Sequence, residues 1–186
     1  IAIVDLTKYG NIRSIVIPKS ELKDIDNIPG LTDLGFEMKA GRVTFDDESI
    51  KSIIHNCTDE NITISFHDRE DVEAFGKPVK KALKSKNLVP LSAFSCEINE
   101  SARDFARGKV KVTIPVEGVT SKDKLVVKYC LDRNTLTDDV FEAPYIERED
   151  DDLRKSGTPK VSCKLGHFSY FILTKDVSES ALTGKV

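Results

Sequence analysis

A mainly β (α+β) fold, a β-sandwich-like domain of two sheets, is what this sequence predicts, and three observations carry that expectation. Seven to nine short stretches alternate apolar with polar residues at the two-residue period of a strand. Turn signals separate them roughly every ten residues, the spacing of sandwiches and related folds. The third observation is Thr158 to Leu173, TPKVSCKLGHFSYFIL, which reads as one long central strand. Only two or three short helices are signalled, and no sustained helix–strand alternation points to a parallel sheet.

Taken in order, residues 1–10 read as an edge strand or the end of a linker, and residues 11–173 as a single β-rich module. Asn11 to Ile17 alternates as a strand, with Ile15 and Ile17 on one face. Pro18 then opens a helical turn, because proline is tolerated where no intrahelical N–H is needed. Pro29 and Gly30 mark a loop. Phe36 and Met38 alternate up to Ala40-Gly41, and Val43 and Phe45 alternate away from it, which predicts a hairpin. Asp46 is placed as the N-cap of a helix whose stripe is Ile50, Ile53 and Ile54. Ile62, Ile64 and Phe66 mark the next strand. Phe75, Val79, Ala82 and Leu83 recur with helical spacing, and Gly76 and Pro78 confine that helix to about Lys77–Ser85.

Beyond that helix the pattern is entirely β. Phe94, Cys96 and Ile98 alternate, as do Val110, Val112 and Ile114, and then Leu125, Val127, Tyr129 and Leu131. A turn is expected at Asp132 to Thr135, a short strand at Val140 to Tyr145, and a charged connection from Glu147 to Gly157. In the long closing strand, Val161, Cys163, Leu165, His167, Ser169, Phe171 and Leu173 share one face. Lys160, Ser162 and Lys164 on the other face predict solvation at first, and from Phe168 onward both faces are apolar and therefore covered. Gly166 falls at the transition, where a bulge or close backbone approach is expected. Residues 174–186 are polar and patternless, which suggests a linker or tail.

Composition excludes several functions. With 186 residues, 39% hydrophobic and 32% charged, the chain can bury a full core. No apolar run approaches the roughly 18 residues of a membrane helix. Net charge is −3, with both signs interspersed, so no basic stripe invites nucleic acid. The chain opens on Ile without a basic-then-apolar leader, which reads as a piece of a longer polypeptide. No cofactor motif, glycine-rich phosphate loop or nucleophile elbow is present in the sequence.

Candidate chemistry is therefore sparse. Cys57, Cys96, Cys130 and Cys163 lack metal-ligand spacing, so they read as buried free thiols or as one or two disulfides of an exported protein. His55, His67 and His167 share no local spacing that would build a metal site. Glu147, Glu149, Asp150, Asp151 and Asp152 offer clustered carboxylates to a hard cation, but without the pattern of a calcium loop they read as a solvated connection. Lys77, Lys80, Lys81, Lys84 and Lys86 form a basic cluster suited to an anionic polymer or simply to water. Sequons at Asn56, Asn61 and Asn99 favour export from a cell that glycosylates.

Several stretches in order carry a resemblance: IVIPKSELKDI, FEMKAGRVTFDDESIKSI, ENITISF, GKVKVTIPV, KLVVKYCLD and GHFSYFIL. Together, from Asn11 to Leu173, they resemble a β-rich module of large bacterial surface and secreted proteins, often found beside S-layer homology or carbohydrate-active domains. That module closes on an HFSxYAV-like strand. The resemblance implies a cell-surface, extracellular location and a non-catalytic structural or adhesive role. The four cysteines and the insert between Asp68 and Pro90 depart from it. Separately, His167-Phe168-Ser169 resembles the cleavage triplet of self-cleaving β domains. There Ser169 would attack the Phe168 carbonyl and His167 would take its proton. A strained bond beside Gly166 would help.

Three functional expectations follow. The first is a non-catalytic spacer, stalk or protein–protein contact module of an exported bacterial surface protein. Its partners would be neighbouring modules, another surface protein or a cell-wall polysaccharide. The second is self-processing between Phe168 and Ser169. The third is a carbohydrate-binding module, for which exposed aromatics outside the core are few and tryptophan is absent.

Overall fold

The computed structural model describes residues 1–67, 75–137, 143–147 and 158–178. Its strands are β1 (Ala2–Asp5), β2 (Ser14–Pro18), β3 (Asp33–Met38), β4 (Gly41–Asp46), β5 (Asn61–His67) and β6 (Leu88–Glu97). They continue as β7 (Val110–Pro115), β8 (Leu125–Asp132), β9 (Thr135–Thr137), β10 (Tyr145–Ile146), β11 (Lys160–Leu165) and β12 (Tyr170–Asp176). Three helices interrupt them: α1 (Lys19–Asp26), α2 (Asp47–Asn56) and α3 (Lys77–Ser85). The strands form two six-stranded sheets, ordered β1-β3-β4-β7-β11-β10 and β2-β5-β6-β12-β8-β9. The expected mainly β, two-sheet α+β class is what the chain adopts. Its residues cluster into two compact units. One comprises Ile1–His67, Cys96–Thr113 and Lys164–Phe168, and the other the remaining described residues.

In the first unit, Pro18 ends β2 and stands at the N-cap of α1 with φ −56° and ψ 133°. Extended backbone is what a proline ring favours there, and the helix begins one residue later. The hairpin forms as its alternation predicts, pairing Phe36 with Val43 and Leu34 with Phe45, all buried. Asp46 is indeed the cap of α2. Its carboxylate accepts from the Ser49 backbone N–H at 2.8 Å and from the Lys109 N–H at 3.0 Å. One side chain thus satisfies a helix-end donor and fixes the approach to β7. Gly108 completes that node. A Cβ there would lie 2.3 Å from the Ser49 nitrogen, so only glycine allows the two backbones to approach this closely.

The second unit is organised around β12, paired antiparallel with β6 on one side and β8 on the other. Phe171, Ile172, Leu173 and Thr174 are all fully buried, as apolar residues on both faces require. Phe171 faces Phe94 across the ladder, and their rings stack with centroids 5.2 Å apart. Thr174 carries the one hydroxyl in this run and donates it to the Val126 carbonyl at 2.7 Å. Helix α3 spans the expected residues, with Gly76 as its cap and Pro78 in its first turn. Its Val79 and Leu83 pack with Phe75, Leu88, Ala93, Cys130 and Ile172.

The closing stretch is where expectation and structure part. It is not one strand but two, β11 and β12, in different sheets, separated by Gly166 to Ser169. Alternation reports burial on each face, and it cannot see that the backbone of this short gap bonds elsewhere. Ser162, expected in solvent, is fully buried and donates to the Glu147 carboxylate at 2.7 Å. Gly166 is not tightly packed, since a Cβ there would meet only the Lys109 ammonium at 3.4 Å. Strand β12 also runs on through Asp176, so Thr174 to Asp176 belong to the fold and not to the tail. The expected strand at Val140 to Tyr145 and the connection at Glu147 to Gly157 fall mostly outside the described residues. Within them only β10 appears. Residues 2–5 resolve the first ambiguity as an edge strand.

Replacing Gly108 by Ala is expected to destabilise the protein by about 1–3 kcal/mol through overpacking against Ser49. Asp46→Ala is expected to cost roughly 1–2 kcal/mol through the lost cap. Urea denaturation midpoints check both, and a Gly108→Ala midpoint equal to the parent's would remove the close-approach account.

Candidate functional site

The segment Gly166 to Phe168 is held by backbone. The Phe105 N–H donates to the Gly166 carbonyl and the Phe168 N–H to the Arg103 carbonyl, each at 3.1 Å. Asp104 and His167 therefore form an isolated antiparallel bridge. The Asp104 carboxylate accepts from the Ala106 N–H at 2.9 Å, and Ala106 takes the left-handed conformation at φ 53°. This turn aims Phe105 inward. Phe168 meets it edge-on at 4.9 Å between centroids, and Phe45 meets Phe168 at 6.1 Å and Phe105 at 6.5 Å. All three rings are essentially buried. Edge-to-face pairs add to the area they bury, so Phe168 is a core anchor.

His167 and Ser169 flank that anchor, both half-buried. The shared face of one continuous strand, a premise of the self-cleavage reading, is replaced by a bridged loop. Backbone strain beside Gly166 is likewise not found. Among the described non-glycine residues, positive φ occurs at Asn87 and Ala106, and every peptide bond is trans.

The other candidates are dispersed. His55 lies in the last turn of α2 and is exposed, His67 ends β5, and no group of three His, Cys, Asp or Glu among the described residues could hold a metal ion. Of the acidic run only Glu147 lies among the described residues. The five lysines of 77–86 are all exposed on and just beyond α3, with Val79 and Leu83 turned inward. The four cysteines are free and buried, as one of the two sequence readings expects. Burial pushes the Cys163 thiol up to about 12 and the Cys130 thiol, helped by Asp132, to about 11, so neither forms a thiolate readily.

The three sequons converge in one corner of the first unit, which spacing alone did not reveal. The Asn99 amide donates to the Asp59 carboxylate at 2.8 Å and the Asn61 carbonyl at 2.9 Å, and its oxygen accepts from the Thr63 N–H at 2.8 Å. Asn99 is a clamp between the end of β6 and the start of β5. Asn56 donates to Ser52 within α2, and Asn61 is exposed.

Two surface features among the described residues bear on partners. Strand β1 is the outermost strand of its sheet, parallel to β3, and exposes Ile3 and Val4, with Tyr9 exposed just beyond. The Leu6 N–H donates to the Glu37 carbonyl, so by alternation the Ile3 and Asp5 backbone groups face the side on which no described strand pairs. In the second unit, a groove of about 610 Å³ runs between β10 and the turn at Thr120 to Asp123. No protein-family model matches this chain, and no curated protein matches it.

Three carboxylates, Asp5 exposed and Asp123 and Asp176 half-buried, serve the backbone. Hydrogen bonds from Thr7, Thr120 and Ser178 hold Asp5, Asp123 and Asp176, respectively, below the usual carboxylate range. Their folded pKa values are depressed, so the stability they confer is present above the ordinary value and lost as pH falls through the folded one. Asp123→Asn and Asp176→Asn should therefore flatten the loss of stability below about pH 4. Thermal melts from pH 6 down to pH 2 check this, and slopes identical to the parent's would contradict it.

Proposed function

We propose that this chain is a non-catalytic module of an exported bacterial surface protein. It acts as a spacer and makes a protein–protein contact through the open edge of β1. The resemblance from Asn11 to Leu173 supports the surface-module reading, and one observation carries the contact. An outer strand with unpaired backbone groups is a template for another chain, and proteins usually blunt such edges with charge, proline or a bulge. Here Ile3 and Val4 are 44% and 42% exposed on the outermost strand. The partner such an edge fits is an extended segment of a neighbouring module or surface protein, added as a further strand.

The rest of the polar inventory supports the same reading. Asp46 caps a helix, Asn99 clamps two strands, Asp123 and Asp176 close turns, and Ser162 pairs with Glu147. These groups are engaged in holding backbone in place.

A photo-crosslinking residue at Val4 of the natural polypeptide tests the proposal. The expected product is a crosslink to a defined extended segment of an adjoining module or surface protein. The same residue at exposed Leu131 should give none. Val4→Lys should abolish the contact while changing stability by no more than about 0.5 kcal/mol. Equal crosslinking from both positions, or none from Val4, would overturn the reading.

A further inference from the structure

The three sequons, Asn56-Cys57-Thr58, Asn61-Ile62-Thr63 and Asn99-Glu100-Ser101, offer the same chemistry in the sequence, and the fold separates them. A sugar joined to asparagine replaces one of the two hydrogens on Nδ2, so each site turns on what those hydrogens already do. Both are committed at Asn99, to the Asp59 carboxylate at 2.8 Å and the Asn61 carbonyl at 2.9 Å, while its oxygen accepts from the Thr63 N–H. A glycan there would break the clamp between β5 and β6 in the folded chain, whenever it was added. Asn56 uses one hydrogen on the Ser52 hydroxyl at 3.2 Å. Asn61 uses neither: its side chain is exposed and hydrogen-bonds to no described residue.

Asn61 is also placed to seat a sugar. It is the first residue of β5, opposite Pro18 of β2, and it lines a groove of about 370 Å³ with Pro18, Lys19, Ser20, Lys23 and Glu60. That volume lies at the lower end of the roughly 300–1,000 Å³ of small-ligand sites, room for the innermost sugar. Lys19 fixes one wall, because its ammonium donates to the Cys57 carbonyl at 3.0 Å and its N–H to the Glu60 carbonyl at 2.8 Å. The exposed Ser20 hydroxyl and Lys23 ammonium are donors for sugar hydroxyls. Asn61, Thr63 and Ser65 share the outward face of β5. The ladder sets Val16 of the outer strand β2, 59% exposed, beside Thr63 on that face. A glycan rooted at Asn61 would cover this edge, and covered edges do not pair with other chains.

We infer that Asn61 carries an N-linked oligosaccharide and that Asn99 carries none. The donor class is a glycan linked to a lipid diphosphate, presented to the chain during export. The Asn61 Nδ2 forms a bond to the anomeric carbon. The bond from that carbon to the diphosphate oxygen breaks, and the oxygen keeps its electron pair. One Nδ2 proton passes to a base of the transferring enzyme, and nothing is oxidised or reduced. Thr63 supplies the hydroxyl that the acceptor motif requires. The site belongs to the sheet of β2 and β5, and β1 to the other sheet, so the glycan and strand addition at β1 can each fail alone.

Glycopeptide mass spectrometry with electron-transfer fragmentation, on the natural polypeptide purified from the cells that make it, tests the inference. The expected result is a glycan mass on Asn61 and an unmodified Asn99. Thr63→Ala, produced in the same cells, should lose the glycan, and Thr63→Ser should keep it. Thr63 is exposed and reaches Asn99 through its backbone N–H, so both variants leave the clamp in place. A bare Asn61, a glycan on Asn99, or a glycan on Asn61 that survives in Thr63→Ala would overturn the inference.

Discussion

Two backbone hydrogen bonds decide how the chain closes. With Phe105 donating to Gly166 and Arg103 accepting from Phe168, the segment between β11 and β12 cannot continue a single ladder. The chain leaves one six-stranded sheet and enters the other within four residues. Phe168 is what makes this break worth its cost in strand pairing. Its ring goes into the contact with Phe105 and Phe45, and burying a phenylalanine contributes about 1.5–3 kcal/mol. The triplet His167-Phe168-Ser169 is in this account a device of packing, in which the aromatic residue does the work and its neighbours mark the edges of the turn.

The same economy recurs at the start of α2. Asp46 ends β4, caps the helix and receives the Lys109 N–H, while Gly108 lets β7 begin against the Ser49 backbone. A hairpin, a helix and a strand thus share one carboxylate and one missing side chain. Fold alone does not imply function, but it shows where chemistry is spent. In this chain the described polar side chains stand mainly at caps, turns and clamps. Among the described residues, the surfaces open to partners include the β1 edge in one unit and a groove beside a sheet edge in the other, and β2 also ends its sheet with Val16 exposed.

Much of this was legible in the sequence because it rests on local rules. The Asp46 cap, the Ala40-Gly41 hairpin and the limits of α3 each follow from a short pattern whose physics acts within a few residues. The burial of β12 was legible too, since apolar residues on both faces need cover on both sides. What could not be read depends on partners distant in sequence. The break at Gly166 comes from Arg103 and Phe105, the burial of Ser162 from Glu147, and the role of Asn99 from Asp59, Asn61 and Thr63. Gly108 was silent for the same reason. Nothing beside it in the chain announces that Ser49 lies against it. The groove joins a turn after β7 to a two-residue strand, and no motif spans that distance.

The claim that the closing triplet is structural is tested most directly by the mass of the denatured chain. After folding and storage, denaturation should release a single species near 20.7 kDa. Two fragments dividing between Phe168 and Ser169, and a Ser169→Ala variant that stays whole, would contradict the account and make this segment a reacting centre.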